Sequence, residues 1–199
     1  SAPPDDRAIM TWGNKPADGG NLLLDFSERQ ALIKGNSQSI RFIRPFPGAS
    51  EFIQGVQRYC LWITDNDVER ARQIPEIDRR LNAVTAMRSE SPKRPTLEAA
   101  ATPNRFVEIR QTGNEDIIVI PGISSENRPY LPCGVAERGT ILSNKNYAFF
   151  NAPLWNMALI ASRLHLVWIA TVCVRLRTDY SYSNTLGWNT FPVPTLTEK

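Results

Sequence analysis

Two stretches of this chain gather side chains suited to contacting a nucleic acid. The first, ISSENRPYLP from Ile123 to Pro132, sets Ser124, Ser125, Glu126, Asn127 and Arg128 in a turn between two apolar runs. Arginine grips guanine and asparagine grips adenine through paired hydrogen bonds, while glutamate accepts from the cytosine amino group, so this set could read base edges. A hairpin whose polar side chains satisfy its own backbone would have the same composition. The second stretch, RLRTDYSYS from Arg175 to Ser183, interleaves Arg175 and Arg177 with Tyr180 and Tyr182. The cations suit phosphate contact, and the tyrosine hydroxyls can bond to the same backbone. A strand that turns Leu176 and Tyr180 inward accounts for the same residues.

Other cations could extend such a footprint. Between Arg79 and Arg94 lie Arg79, Arg80, Arg88, Lys93 and Arg94 against the single acid Glu90. The run reads either as a solvated helix face or as a phosphate-contacting patch. We count Lys93, Arg94 and Arg110 as phosphate candidates, and Arg163 as either a phosphate contact or a member of an ion pair at the edge of the core.

Catalytic chemistry is hard to find. The glycine-rich dinucleotide and triphosphate loops, the zinc-protease HExxH and the hydrolase GxSxG are all missing from the sequence. Glu115 and Asp116 are adjacent and would point to opposite faces of an extended chain, a poor basis for paired acid and base work. His165 is the only histidine. On a helix it sits about 200° around from Arg163 at roughly 100° per residue, so the two do not share a small site. We expect His165 to be a hydrogen-bonded side chain tying its helix to a sheet, with a polar ligand contact as the alternative. Cys60, Cys133 and Cys173 are each set among apolar neighbours without a CxxC pair, the usage of reduced core thiols in a cytoplasmic protein. No residue is assigned to catalysis, to a cofactor or to a metal.

These side chains must be held by elements that the pattern outlines. Asp25 or Ser27 can cap a short helix, Ser27 with Gln30 as a capping box. Gln57 to Ile63 reads as a buried strand. From Asp67 to Ser89, the apolar positions Ile74, Ile77, Leu81, Val84 and Met87 recur at helical spacing, and Pro75 marks a start or a kink. Thr96 to Ala101 forms a short helix that ends before Pro103. FVEIRQT, DIIVIPGIS, YLPCGV and TILSNKNYAFF are four β-like runs, expected to form an antiparallel meander. Pro153 to Cys173 reads as one long apolar helix, with Pro153 in its first turn, covering the packed face of that sheet. The fold class is therefore α+β, a mostly antiparallel sheet packed against long helices.

With 199 residues, 42% hydrophobic content and 22% charge, the chain can bury a sizeable core without disulfides or metal. A net charge of +3 permits an acidic partner without demanding one. Arg163 and His165 lie in the middle of the one apolar run near membrane-spanning length, at high transfer cost, so no membrane span is expected. The opening residues lack a signal-peptide pattern. As the chain does not start with methionine, we expect a piece of a longer polypeptide.

Longer phrases carry more than composition does. PADGGNLLL, IRPFPGASEFIQGVQRYCLWI, VTAMRSESPKRPTLEAAATPNRFVEIRQ, IVIPGISSENRPYLPCG and LHLVWIATVCVRLRTDYSYSNTLGWNTFPVP occur in that order. Together, from about Asp18 to Pro194, they resemble the region after the catalytic core of MmeI-like, type IIG restriction and modification enzymes and of related DNA methyltransferases. Leu164 and Val174 stand where family members tend to have methionine and glycine, apolar exchanges that leave the resemblance intact. The resemblance implies a target recognition domain that binds double-stranded DNA. It also implies that methyl transfer from S-adenosylmethionine to adenine belongs to a preceding methyltransferase domain. On that reading residues 1–36 are a linker after that domain, and residues 37–199 are the recognition domain, with no cofactor of its own. Ser124, Ser125, Glu126, Asn127 and Arg128 would face bases, while Lys93, Arg94, Arg110, Arg163, Arg175, Arg177, Tyr180 and Tyr182 complete the DNA-binding set. The competing reading is a protein interaction module that docks a methyltransferase or nuclease subunit through the segments Arg79 to Arg94 and Pro153 to Cys173.

Overall fold

The structure, a computed structural model, describes residues 7–193; Pro194, where the resemblance ends, lies outside them. In chain order the first elements are β1 (Thr11–Trp12), β2 (Leu23–Leu24), α1 (Phe26–Gly35), β3 (Ile43–Pro45), α2 (Ala49–Gln54) and β4 (Tyr59–Leu61). Three helices follow, α3 (Val68–Arg72), α4 (Pro75–Ser89) and α5 (Arg94–Glu98). Then come β5 (Ile117–Pro121), β6 (Ile123–Ser124), β7 (Gly134–Ala136) and β8 (Asn146–Phe150). The chain closes with α6 (Trp155–Ile160), α7 (Arg163–Val172), β9 (Arg175–Leu176) and β10 (Asp179–Ser181). Every strand pairing among these elements is antiparallel, and the class is α+β as expected. No helix among the described residues is long and apolar enough to cross a membrane.

The chain divides into two compact units. One comprises residues 13–115 and 138–144. Its three-stranded sheet runs β2-β4-β3, with β4 in the middle and Cys60 and Leu61 fully buried, which is why Gln57 to Ile63 looks so apolar in sequence. Leu22, Leu24 and Leu32 join this core, so residues 13–36 pack as part of the unit. Helix α1 starts at a capping box made by Asp25 and Glu28: the Glu28 amide donates to Asp25 Oδ1 at 2.8 Å, and the Asp25 amide donates to Glu28 Oε2 at 2.9 Å. The box expected from Ser27 and Gln30 does not form, because Asp25 already caps the helix.

The helix expected from Asp67 to Ser89 is two helices. Ile74 precedes proline and is extended (φ −94°, ψ 110°), while Pro75 occupies the first turn of α4, where no amide donor is needed. On α4 the buried stripe is Ile77, Leu81, Val84 and Arg88, with Met87 only half-buried. Arg88 is fully buried and spends all five of its N–H donors on carbonyl oxygens. Nε donates to Ala17 (2.9 Å), Nη1 to Ala99 (3.0 Å) and Thr102 (3.1 Å), and Nη2 to Pro16 (2.7 Å) and Arg105 (2.8 Å). Arg80, also buried, clamps α4 to α1 through Glu28 Oε1 at 2.8 Å. The five cations from Arg79 to Arg94 are therefore not one solvated patch: Arg80 and Arg88 hold the unit together from inside. The strand expected at FVEIRQT is reduced to one bridge, Glu108 to Lys15. The segment is anchored through the side chain of its Gln111 instead. Buried Gln111 donates to Thr140 O at 2.8 Å and accepts from Asn14 Nδ2 and the Leu142 amide, both at 2.8 Å.

The other unit comprises the described residues 7–12, 116–137 and 145–193. Its larger sheet has the order β1-β8-β5-β7, so β5 lies between the two later strands and the expected sequential meander does not occur. Strand β5 is buried along its whole length, the position that a continuous Ile-Ile-Val-Ile run demands. The long helix expected from Pro153 to Cys173 is broken into α6 and α7 at Ser162. There the backbone is extended, and the Ser162 hydroxyl caps α7 by accepting the His165 amide at 3.1 Å. Ile118, Ile120, Phe149, Ile160, Ile169 and Trp188 form the shared core of sheet and helices. A second, three-stranded sheet has the order β6-β10-β9.

Candidate functional site

Strand β10 brings the two polar stretches of the sequence together. Its residues Tyr180 and Ser181 pair with Ser124 and Ile123 of β6, and its Asp179 and Tyr180 pair with Leu176 and Arg175 of β9. Beyond β6 the chain turns at once. The Arg128 amide donates to Ser125 O and the Asn127 amide to Ser125 Oγ, both at 3.3 Å. Ser125 thus satisfies the backbone of its own turn, while Glu126, Asn127 and Arg128 extend exposed from it. The hairpin that bonds to its own backbone is thus seen at Ser125. Ser124 is only 3% exposed, on the strand itself, and offers nothing to a partner.

The β9–β10 hairpin closes through a two-residue turn, Arg177 and Thr178. Arg177 has a φ of 58° at the first turn position, where glycine is usual, and its side chain is exposed. Cross-strand partners share a face of a sheet, so Arg175 lies with Tyr180, and Leu176 lies with Asp179 on the other face. Leu176 and Tyr180 therefore cannot both turn inward: Tyr180 is 9% exposed and Leu176 55%. The Arg175 guanidinium stacks on the Tyr180 ring at 4.7 Å, and its Nη1 donates to Glu126 Oε2 at 2.7 Å and to Thr178 O at 2.9 Å.

Tyr182 departs from its expected role. It is 4% exposed, with its hydroxyl 3.0 Å from His165 Nε2, and burial pushes its pKa well above the ordinary tyrosine value. His165 is fully buried against Trp188 and Phe191. Burial, with a smaller contribution from the Arg7 charge, lowers its pKa to about 4, so the ring is neutral near pH 7. These two residues form an internal strut, as the structural reading of His165 expects, and neither hydroxyl nor ring meets solvent.

Arg163 is exposed in the first turn of α7, in the same unit as this small sheet. Lys93, Arg94 and Arg110 belong to the other unit. Lys93 is the residue before α5, Arg94 pairs with Glu98 at 2.8 Å, and Arg110 pairs loosely with Glu108 at 3.5 Å. Two further side chains stand exposed in this unit, Tyr130, 51% exposed at the end of the polar turn, and the outward Leu176. An aromatic residue in an otherwise polar turn was the available signal for the first; only the strand register reveals the second.

A family model described as "MmeI, target recognition domain" matches residues 1–195. DNA methyltransferase A of Bacillus subtilis (strain 168) is 38% identical over 197 residues, which is 99% of this chain and 22% of that protein. A solved structure of the Type IIL restriction-modification enzyme MmeI in complex with DNA is 35% identical and superposes with a TM-score of 0.94, covering 100% of this chain and 26% of that one. The chain thus spans about a quarter, or less, of the length of these relatives. With nearly every residue inside the family match and the fold shared throughout, the chain belongs to the MmeI target recognition domain family.

Proposed function

We propose that this chain recognises a DNA target for a longer restriction-modification protein, in which a preceding domain transfers a methyl group from S-adenosylmethionine to adenine. The observation that carries this reading is the pairing of β10 with both β6 and β9, which sets Glu126, Asn127 and Arg128 beside the exposed Arg177 hairpin. A turn that presents a carboxylate, an amide and a guanidinium on one edge has the donors and acceptors to distinguish base pairs in the major groove. Cations next to it suit phosphate contact, which fixes register without reading sequence. Arg177 and Arg163 take that role in this unit; Lys93, Arg94 and Arg110 are the phosphate candidates of the other unit, taken by itself. The similarity to the MmeI structure solved with DNA supports the same reading. Three free cysteines accord with a cytoplasmic setting.

The decisive test is base choice. Selection of a randomised duplex pool by the wild-type chain should enrich one short sequence. Arg128→Ala should relax the choice at one base pair by about tenfold to a hundredfold, leaving the other positions as they were. Uniform weakening at every position would overturn the base-reading role of the turn.

A second reading, a module that docks a protein subunit, draws on Leu164 and Val167, each 64% exposed and nearly one turn apart on α7. In the full-length protein the two readings separate cleanly. A change at Arg128 alters which sites are methylated if the turn reads bases. A change at Leu164 lowers methylation at all sites if α7 docks a partner.

A further inference from the structure

We infer that Arg175 is a positioning residue, not a phosphate contact: it holds the Glu126 carboxylate in place and so sets the base that Glu126 selects. The inference rests on the base-reading function proposed above and names a residue that acts through the reader.

Three contacts converge on one guanidinium. Nη1 reaches Glu126 Oε2 at 2.7 Å and Thr178 O at 2.9 Å, while the plane of the group lies over the Tyr180 ring at 4.7 Å. Arg175 and Glu126 are about equally exposed, with side chains at 40% and 38%, and an exposed ion pair of this kind contributes little by itself. Here, however, the guanidinium is not free to wander. Its Cα is paired with Tyr180 across the sheet, and Tyr180 is paired in turn with Ser124, two residues before Glu126. The carbonyl of Thr178, in the hairpin turn, takes a second hydrogen bond from the same nitrogen. A planar, forked cation suits this combined stacking and bonding in a way that an ammonium does not.

Glu126 is otherwise an exposed side chain on a two-bond turn, with several rotamers open to it. Contact with Arg175 occupies Oε2 and leaves Oε1 to accept from a base amino group. The carboxylate then meets the duplex in one orientation, with less side-chain freedom to lose on binding. Sequence choice at that base pair becomes a joint property of Glu126 and Arg175, although only Glu126 touches the base.

The experiment compares the wild-type chain with Arg175→Ala, Arg175→Lys, Glu126→Ala, Glu126→Gln and the double variant Glu126→Ala/Arg175→Ala. Backbone order parameters for residues 125–128 are measured without DNA, and base choice and the salt slope of binding are measured with a randomised duplex pool. In Arg175→Ala and Glu126→Gln the turn should loosen from about 0.85 toward about 0.6. Preference at one base pair should fall about tenfold in Arg175→Ala and Glu126→Ala, at the same position, with the double variant no worse than Glu126→Ala. The salt slope should stay unchanged in Arg175→Ala, and Arg175→Lys should recover only part of the preference.

A phosphate contact gives the opposite pattern. The slope falls by about one in Arg175→Ala, affinity weakens alike for all sequences and base choice persists, a result that would overturn the inference. Should the wild-type chain select no bases at all, the proposed function fails. The positioning claim is then decided by the order parameters, and a turn as ordered in Arg175→Ala as in the wild type sinks it.

Discussion

Single residues show how far chemistry depends on surroundings. His165 is the only histidine, and its burial makes the stability of the fold depend on pH below neutrality. Its folded pKa is about 4 against an unfolded value near 6.5, so between those values the unfolded chain binds the extra proton. Stability from this residue is therefore complete above about pH 6.5 and is lost as pH falls toward about 4, by roughly 3 kcal/mol. Urea titrations across that range should show the decline, and His165→Gln should flatten it. Arg88 makes the complementary point. A cation whose five donors meet five carbonyls is stabilising only while every partner is present. Arg88→Met should therefore cost upward of about 3 kcal/mol in thermal or urea unfolding, because the carbonyls of Pro16, Ala17 and Arg105 lose the guanidinium as donor, and those of Ala99 and Thr102 keep only a backbone amide. Arg94→Met, at an exposed pair, should change stability by less than about 1 kcal/mol.

Among the elements, the β9–β10 hairpin carries backbone strain at its turn. Arg177 at φ 58° bears strain that glycine would avoid, roughly 1 kcal/mol for a non-glycine residue in the left-handed region. Arg177→Gly should consequently fold at least as stably as the wild type while binding duplex DNA more weakly, as calorimetry and anisotropy on the same sample would report. Equal DNA affinity would remove Arg177 from the interface. Local rules explain other elements well. Pro75 starting α4, Asp25 capping α1 and the all-apolar β5 are legible because each depends on a few neighbouring residues. Ser162 shows where such rules stop: nothing in an apolar run from Trp155 to Val172 marks that serine as an N-cap until the backbone turns there.

At the scale of the whole molecule, a net charge of +3 is small, so under the proposed function attraction to DNA would come from where the cations stand, not from their sum. Binding should still weaken steeply with salt. If three phosphates are contacted, a fourfold rise in salt should lower affinity about 40-fold, measured by anisotropy on one duplex. An isotherm that ignores salt would count against a DNA partner altogether. Lys93, Arg94 and Arg110 belong to one unit and the turn that carries Glu126 to Arg128 belongs to the other. Phosphate contacts from both units would appear in that slope, whereas base choice should depend on the turn alone.

By itself the sequence determined the α+β class, the family and most of the helix starts and buried strands, since caps, prolines and apolar periodicity act over a few residues. It also marked the polar turn and the arginine-tyrosine stretch as the places to look. Only the tertiary structure decided which of those side chains are on offer. Arg88 went inside and Arg94 stayed out; Tyr182 bonded to His165 while Tyr130 remained exposed; Arg175 turned to Glu126. The reason is physical: a side chain's face is set by strand register and by partners distant in sequence, and a shift of one residue sends every side chain of a strand to the opposite face.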